Sequence, residues 1–104
     1  MIHGYKIITL CGSIKFKDEF MKVQEKLELD GNIVLTPNFF NNIKKEYIDE
    51  KTKKMLDEMH KQKIDMSDEI YVINVGGYIG ESTKSEIEYA KRKCKKIYYL
   101  ERIQ

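Results

Sequence analysis

Glu81 and Glu86 follow a glycine-containing loop in the stretch Asn74 to Ala90, NVGGYIGESTKSEIEYA, and are the carboxylates best placed to act on a bound ligand. The stretch begins where the apolar run Ile70-Tyr71-Val72-Ile73 stops. It passes Gly76, Gly77 and Gly80 and takes up a helical pattern at Ser82 or Thr83. A strand, a flexible turn and a helix start in that order aim unpaired backbone N–H groups and the positive end of a helix dipole at one point, which suits phosphate or another anion. A carboxylate in the first turn of that helix, on the crevice side, would stay ionised and available as a nucleophile. Thr83-Lys84-Ser85-Glu86 equally matches a capping box, in which the glutamate reaches back to the N-cap amide, so spacing leaves both roles open for Glu86. Glu81 reads as loop-exposed.

Other polar groups are weaker signals. Gly12 and Ser13 close an apolar run and open a helix, offering a backbone approach and a hydroxyl to an anion, although capping the helix is the simpler role for Ser13. Neither GxGxxG nor GxxxxGK[ST] is present, which excludes the dinucleotide fingerprint and the P-loop. Asp65 and Asp68 flank the passage into the Ile70 run, where Asp68 either bonds local backbone or reaches the crevice. His60 precedes it on the same helical stretch; a lone histidine mostly packs or faces solvent, but it can titrate near neutral pH. Tyr78, Phe39 and Phe40 either stack on a planar ligand or fill space. Lysines and Arg92 between positions 91 and 96 suit the C-terminal end of a helix dipole and need no polyanion to explain them.

These residues need elements to position them. Tyr5 to Leu10 reads as a first strand, and Phe16, Phe20, Val23 and Leu27 recur at helical spacing up to a stop at Asp30-Gly31. Asn32 to Thr36 reads as a second strand closed by Pro37, and Asn38 to Tyr47 as a loop. Ile48 to Met66 reads as a solvated helix with Ile48, Met55, Leu56, Met59 and Met66 turned inward. The Ile70 run is the third strand, Ile87, Ala90 and Cys94 mark the buried side of a third helix, and Lys96 to Leu100 is the fourth strand. Short apolar strands alternating with helices predict an α/β fold, a Rossmann-like (flavodoxin-like) three-layer sandwich whose four-stranded parallel sheet is covered on both faces. An order of 2-1-3-4 would set the turn Cys11-Gly12-Ser13 and the loop from Gly76 to Ser82 on opposite sides of one crevice, at the switch point where such folds bind ligands.

With 104 residues the chain is expected to form one domain. Charged residues make up 35% and the formal net charge is +2 with the signs interspersed, which argues for a small-molecule partner and against a nucleic-acid polymer. No run suits a membrane span or signal peptide, so a cytoplasmic protein without a membrane partner is expected. Cys11 and Cys94 lie far apart and the only other histidine is His3, so the expectation is reduced thiols, no metal and no cofactor.

Three segments carry a resemblance: Ile8 to Ile14 (ITLCGSI), Ile64 to Ile70 (IDMSDEI), and Gly80 to Ala90 with its Glu-Ile-Glu-Tyr-Ala ending. Spanning nearly the whole chain, they resemble the nucleoside 2-deoxyribosyltransferase superfamily, closest in motif to the 2'-deoxynucleoside 5'-phosphate N-hydrolases. The resemblance implies that the partner is a nucleoside or nucleotide. It implies that Cys11, Gly12, Ser13 and Ile14, with Gly77, Gly80 and Ser82, surround its phosphate end, and that Glu86 is the nucleophile of a retaining glycosyl mechanism. Where the family has an aspartate that assists the base, counting back along the motif puts His60, which with Asp68 completes the set of catalytic candidates; Phe39 and Tyr78 are candidates to cover the base. The resemblance also implies a homodimer or higher homo-oligomer, because family sites are completed by the tail of a neighbouring subunit, although this chain ends soon after its fourth strand. The alternative is a non-catalytic nucleotide-binding module on the same fold.

Overall fold

The computed structural model describes residues 1–103. Four strands, β1 (Ile7–Gly12), β2 (Ile33–Leu35), β3 (Glu69–Ile73) and β4 (Lys96–Tyr99), form a fully parallel sheet in the order β2-β1-β3-β4. Between them run α1 (Lys17–Leu29), α2 (Glu50–Asp65) and α3 (Glu81–Arg92), so the expected α/β sandwich and strand order are observed. Parallel neighbours cannot be joined by a hairpin, and each helix is the return crossover that the pairing requires.

Side-chain alternation along the strands builds two cores. Ile8, Leu10 and Ile73 pack with Phe20 and Val23 of α1 on one face. Cys11, Ile70 and Val72 pack with Ile64 of α2 and with Ile87 and Ala90 of α3 on the other. β1 lies two residues later than its apolar run suggested. Ile2 and Tyr5 close a tight turn on each other, while Cys11 and Gly12 stay paired with Val72 and Ile73.

α2 departs most from expectation. Its buried residues are His60 and Ile64, whereas Met55, Met59 and Met66 are exposed. The seam under the helix is polar: Thr9 Oγ1 and Ser67 Oγ lie 3.0 Å and 2.7 Å from the Lys63 carbonyl oxygen and against each other, so one hydroxyl donates to the carbonyl and the other to its neighbour. Hydrogen bonding together with the single buried Ile64 holds this face, so a count of methionines misplaces it. Cys94, expected in the core, is exposed in the turn after α3 with φ +57°.

Asp68 precedes β3 and therefore sits at the amino edge of the sheet. Its Oδ2 accepts the Ile7 N–H at 2.8 Å and its Oδ1 the Met1 ammonium at 3.1 Å. It thus ties β1 to β3 at the edge opposite the one where such sheets bind ligands, which corrects its placement among catalytic candidates. These bonds, the Ile7 N–H first, hold its carboxyl below the ordinary 3.8. A depressed folded-state value adds stability above the unfolded pKa and loses it as pH falls through the folded one. Asp68→Asn is therefore expected to lower Tm at pH 7, with the deficit shrinking once the pH drops below about 4; thermal melts across that range check it, and an equal deficit at both ends would contradict the assignment.

Candidate active site

At the carboxyl edge, β1 ends at Gly12 and β3 ends at Asn74. Gly12 has φ +153°, and a Cβ there would lie 2.9 Å from the Ile73 carbonyl oxygen and 3.2 Å from Phe20 Cζ, so only glycine lets the chain turn out against β3. Ser13 then caps a short 3-10 turn, Ile14–Phe16, its Oγ accepting the Lys15 N–H at 3.4 Å. On the other side, Asn74 bonds both backbone groups of Glu101, and the Glu101 carboxylate accepts the Gly76 N–H at 2.7 Å. The loop after β3 is thereby fastened to the chain beyond β4.

Between these turns lies a crevice of about 680 Å³, within the range of small-molecule sites. Gly12, Ser13 and Ile14 form one wall; Tyr78, Gly80, Ser82 and Glu86 form another; Asp57 and His60 of α2 form a third. Gly80 is the N-cap of α3 and has no side-chain cap, and Gly80, Ser82 and Thr83 at that helix start line the crevice, which suits an anion. The helix starts at Glu81, earlier than its pattern suggested. Glu86 therefore lies in the second turn, beyond the reach of a capping box, and its carboxyl enters the crevice.

The expected phosphate-side residues Gly12, Ser13, Ile14, Gly80 and Ser82 all reach the wall, and Ser13 both caps and lines. Gly77, with φ +80° in the fastened loop, does not. Cys11 lies beneath the floor, fully buried. Tyr78 stands at the rim, edge-on to Phe16 at 5.9 Å, with the Lys15 ammonium 3.6 Å from its ring centroid. Phe39 points the other way and packs on Phe20 at 5.2 Å in the α1 core. Its neighbour Phe40, whose N–H bonds the Asn38 side chain at 2.7 Å and whose φ is +50°, lines the crevice instead.

Glu86, His60 and Cys11 meet at the floor. His60 Nε2 is 3.6 Å from Glu86 Oε1 and 3.6 Å from Cys11 Sγ. Burial lifts the Glu86 carboxyl from 4.5 to about 7, with the Cys11 thiol opposing, Asp57 adding to the rise and Lys61 reducing it. Its ionisation is thus governed by burial, which corrects the expectation that a first-turn position would keep it ionised through the helix dipole. His60 is pushed down to about 4 by burial and by the Lys63 ammonium, against a smaller pull from the Leu10 carbonyl, so the ring is neutral at pH 7. Its Nδ1 has no partner in hydrogen-bonding geometry among the described residues. Burial first, and Glu86 second, hold Cys11 as a thiol. The expectation of no metal rested on separation along the chain; the fold brings these three donor atoms within 4.8 Å of one another.

Asp57 was missed in the sequence. It precedes His60 by three residues, the spacing that shares a helix face, and this periodicity was the available signal. No helix among the described residues is long and apolar enough to cross a membrane.

A doubly wound α/β domain with an acid at the floor of its switch-point crevice is the class that fold and site define. Residues 6–99 match the family described as Domain of unknown function (DUF4406), and the chain belongs to that family. No curated protein matches it. Among solved structures, a 2-deoxyribosyltransferase from the psychrotolerant bacterium Bacillus psychrosaccharolyticus shares the fold with a TM-score of 0.71 and 16% sequence identity, over 94% of this chain and 77% of that one.

Gly12→Ala would combine backbone strain with a carbonyl clash, each worth about 1–3 kcal/mol. A fall in Tm of at least about 10 °C is expected by calorimetry; an unchanged Tm would show that the turn after β1 is looser than described.

Proposed function

We propose that the protein cleaves or transfers the N-glycosidic bond of a nucleoside, deoxynucleoside or their 5'-monophosphates, with Glu86 as the nucleophile. One observation carries this reading: the Glu86 carboxyl opens into the same crevice that Gly12, Ser13 and the uncapped start of α3 line. The fold shared with a 2-deoxyribosyltransferase supports it. The phosphate or 5'-hydroxyl end would lie against Gly12, Ser13 and Ser82, the sugar over Glu86, and the base toward Tyr78 and Phe40.

In this reading ionised Glu86 attacks the anomeric carbon. The carbon–nitrogen bond breaks, its electron pair leaves with the base, and the base takes a proton from a crevice water that the Asp57 carboxylate orients. The glycosyl ester is then attacked at the same carbon by water or by a second base, and the Glu86 carboxylate is released. The Cys11 thiol, whose pull favours the ionised form, keeps the carboxyl oriented beneath the sugar. A module that binds nucleotides without turnover is the second reading, favoured by an imidazole, not a carboxylate, at position 60.

Incubation with a panel of nucleosides, deoxynucleosides and their monophosphates, with and without an acceptor base, is expected to release free base on chromatography. Glu86→Ala should lower release at least 1,000-fold, about 4 kcal/mol of barrier, and leave ligand-induced thermal stabilisation in place. Stabilisation without release in the wild type would establish the binding module, and full activity in Glu86→Gln would remove the nucleophile.

A further inference from the structure

Cys11 comes from β1, His60 from α2 and Glu86 from α3, so three elements converge on the crevice floor with one sulfur, one nitrogen and one oxygen donor. The His60 Nε2 separations of 3.6 Å to Cys11 Sγ and 3.6 Å to Glu86 Oε1 match the edges of a coordination tetrahedron. Bond lengths of about 2.3 Å to sulfur, 2.0–2.1 Å to imidazole and 2.0–2.2 Å to carboxylate span ligand–ligand edges of about 3.3–3.6 Å. The His60–Glu86 distance, by contrast, is too long for a hydrogen bond. His60 Nε2 and Cys11 Sγ lie within hydrogen-bonding reach of each other, whereas His60 Nδ1 has no partner in hydrogen-bonding geometry among the described residues, so Nε2 is the nitrogen that faces the other two donors.

We propose that Cys11, His60 and Glu86 bind a zinc-type divalent cation, with the fourth position open to the crevice. The donor set selects for such an ion: thiolate and imidazole suit zinc and its neighbours in the first transition row, and disfavour magnesium and calcium, which take oxygen ligands. Three protein ligands plus an open position is the pattern of a reactive or exchangeable site, whereas structural zinc is closed by four. Access follows from burial. Cys11 is sealed beneath the floor, but His60 and Glu86 line the crevice and let an ion enter from that side. On binding, the Cys11 sulfhydryl proton leaves to solvent and a sulfur–metal bond replaces it, with no redox change. The inference does not need the glycosidic reading, because it requires only the three donors; where that reading also holds, a bound ion occupies the Glu86 oxygen that would attack the sugar.

Chelator-stripped protein is titrated with Co²⁺ and then with Zn²⁺. One equivalent of Co²⁺ should bind, give a thiolate-to-cobalt charge-transfer band in the near ultraviolet, and be displaced by Zn²⁺, which favours a tetrahedral thiolate and imidazole donor set. Cys11→Ser should abolish the band and weaken Zn²⁺ binding at least tenfold, while Cys94→Ser, at the exposed cysteine, should change neither. If Cys11→Ser does not fold, Glu86→Gln carries the test with the same tenfold loss. Absence of stoichiometric binding, a band that survives Cys11→Ser or vanishes in Cys94→Ser, or undiminished Zn²⁺ affinity in Glu86→Gln would overturn the site.

Discussion

The burial of one carboxyl group is the constraint on which the rest of this structure turns. Glu86 sits at the foot of a crevice with a thiol and a neutral imidazole for neighbours, and its pKa rises from 4.5 to about 7. A rise of that size corresponds to about 3 kcal/mol against the charged form, a large share of the 5–15 kcal/mol typical of a small domain. The two apolar cores must supply that margin. Strongly shifted groups in clefts mark functional sites more often than chance, which is why this acid outranks Glu81, which lies at the crevice mouth.

The fold explains how the group is held. Parallel pairing forces β1 and β3 to deliver their carboxyl ends to one edge, and Gly12 lets the chain turn outward within touching distance of Ile73. The polar seam of Thr9, Ser67 and the Lys63 carbonyl fixes the height of α2 over the sheet, and with it the position of His60 and Asp57 on the crevice wall. The Asn74–Glu101 bonds fasten the opposite rim. Rigidity on both sides of the crevice is what a site needs to hold a ligand in one pose.

Much of this was legible in the sequence because the apolar runs and the helical spacing are local. The strand and helix order, the switch point, and the wall positions of Gly12, Ser13, Gly80 and Ser82 follow from them, whereas spacing left Glu86 between cap and crevice and the family resemblance singled it out. Asp68 was misplaced although the rule to place it was at hand: a residue before a parallel strand lies at the amino edge. Phe39 and Phe40 were confused because a one-residue change in a loop turns a side chain from wall to core. The buried face of α2 was unreadable by hydrophobicity because hydroxyls, a backbone carbonyl and an imidazole share it with the single buried Ile64. Cys11, His60 and Glu86 meet only through the tertiary fold, and no local pattern records their proximity.

The claim beneath all of this is that Glu86 is a desolvated acid at the crevice floor, and a carbon-13 titration of its side-chain carboxyl in chelator-treated protein tests it most directly. The account predicts a midpoint near 7, falling when Asp57, whose charge adds to the rise, is replaced by asparagine. A midpoint near the ordinary 4.5 would show a solvated carboxylate turned away from Cys11 and His60, and would contradict it.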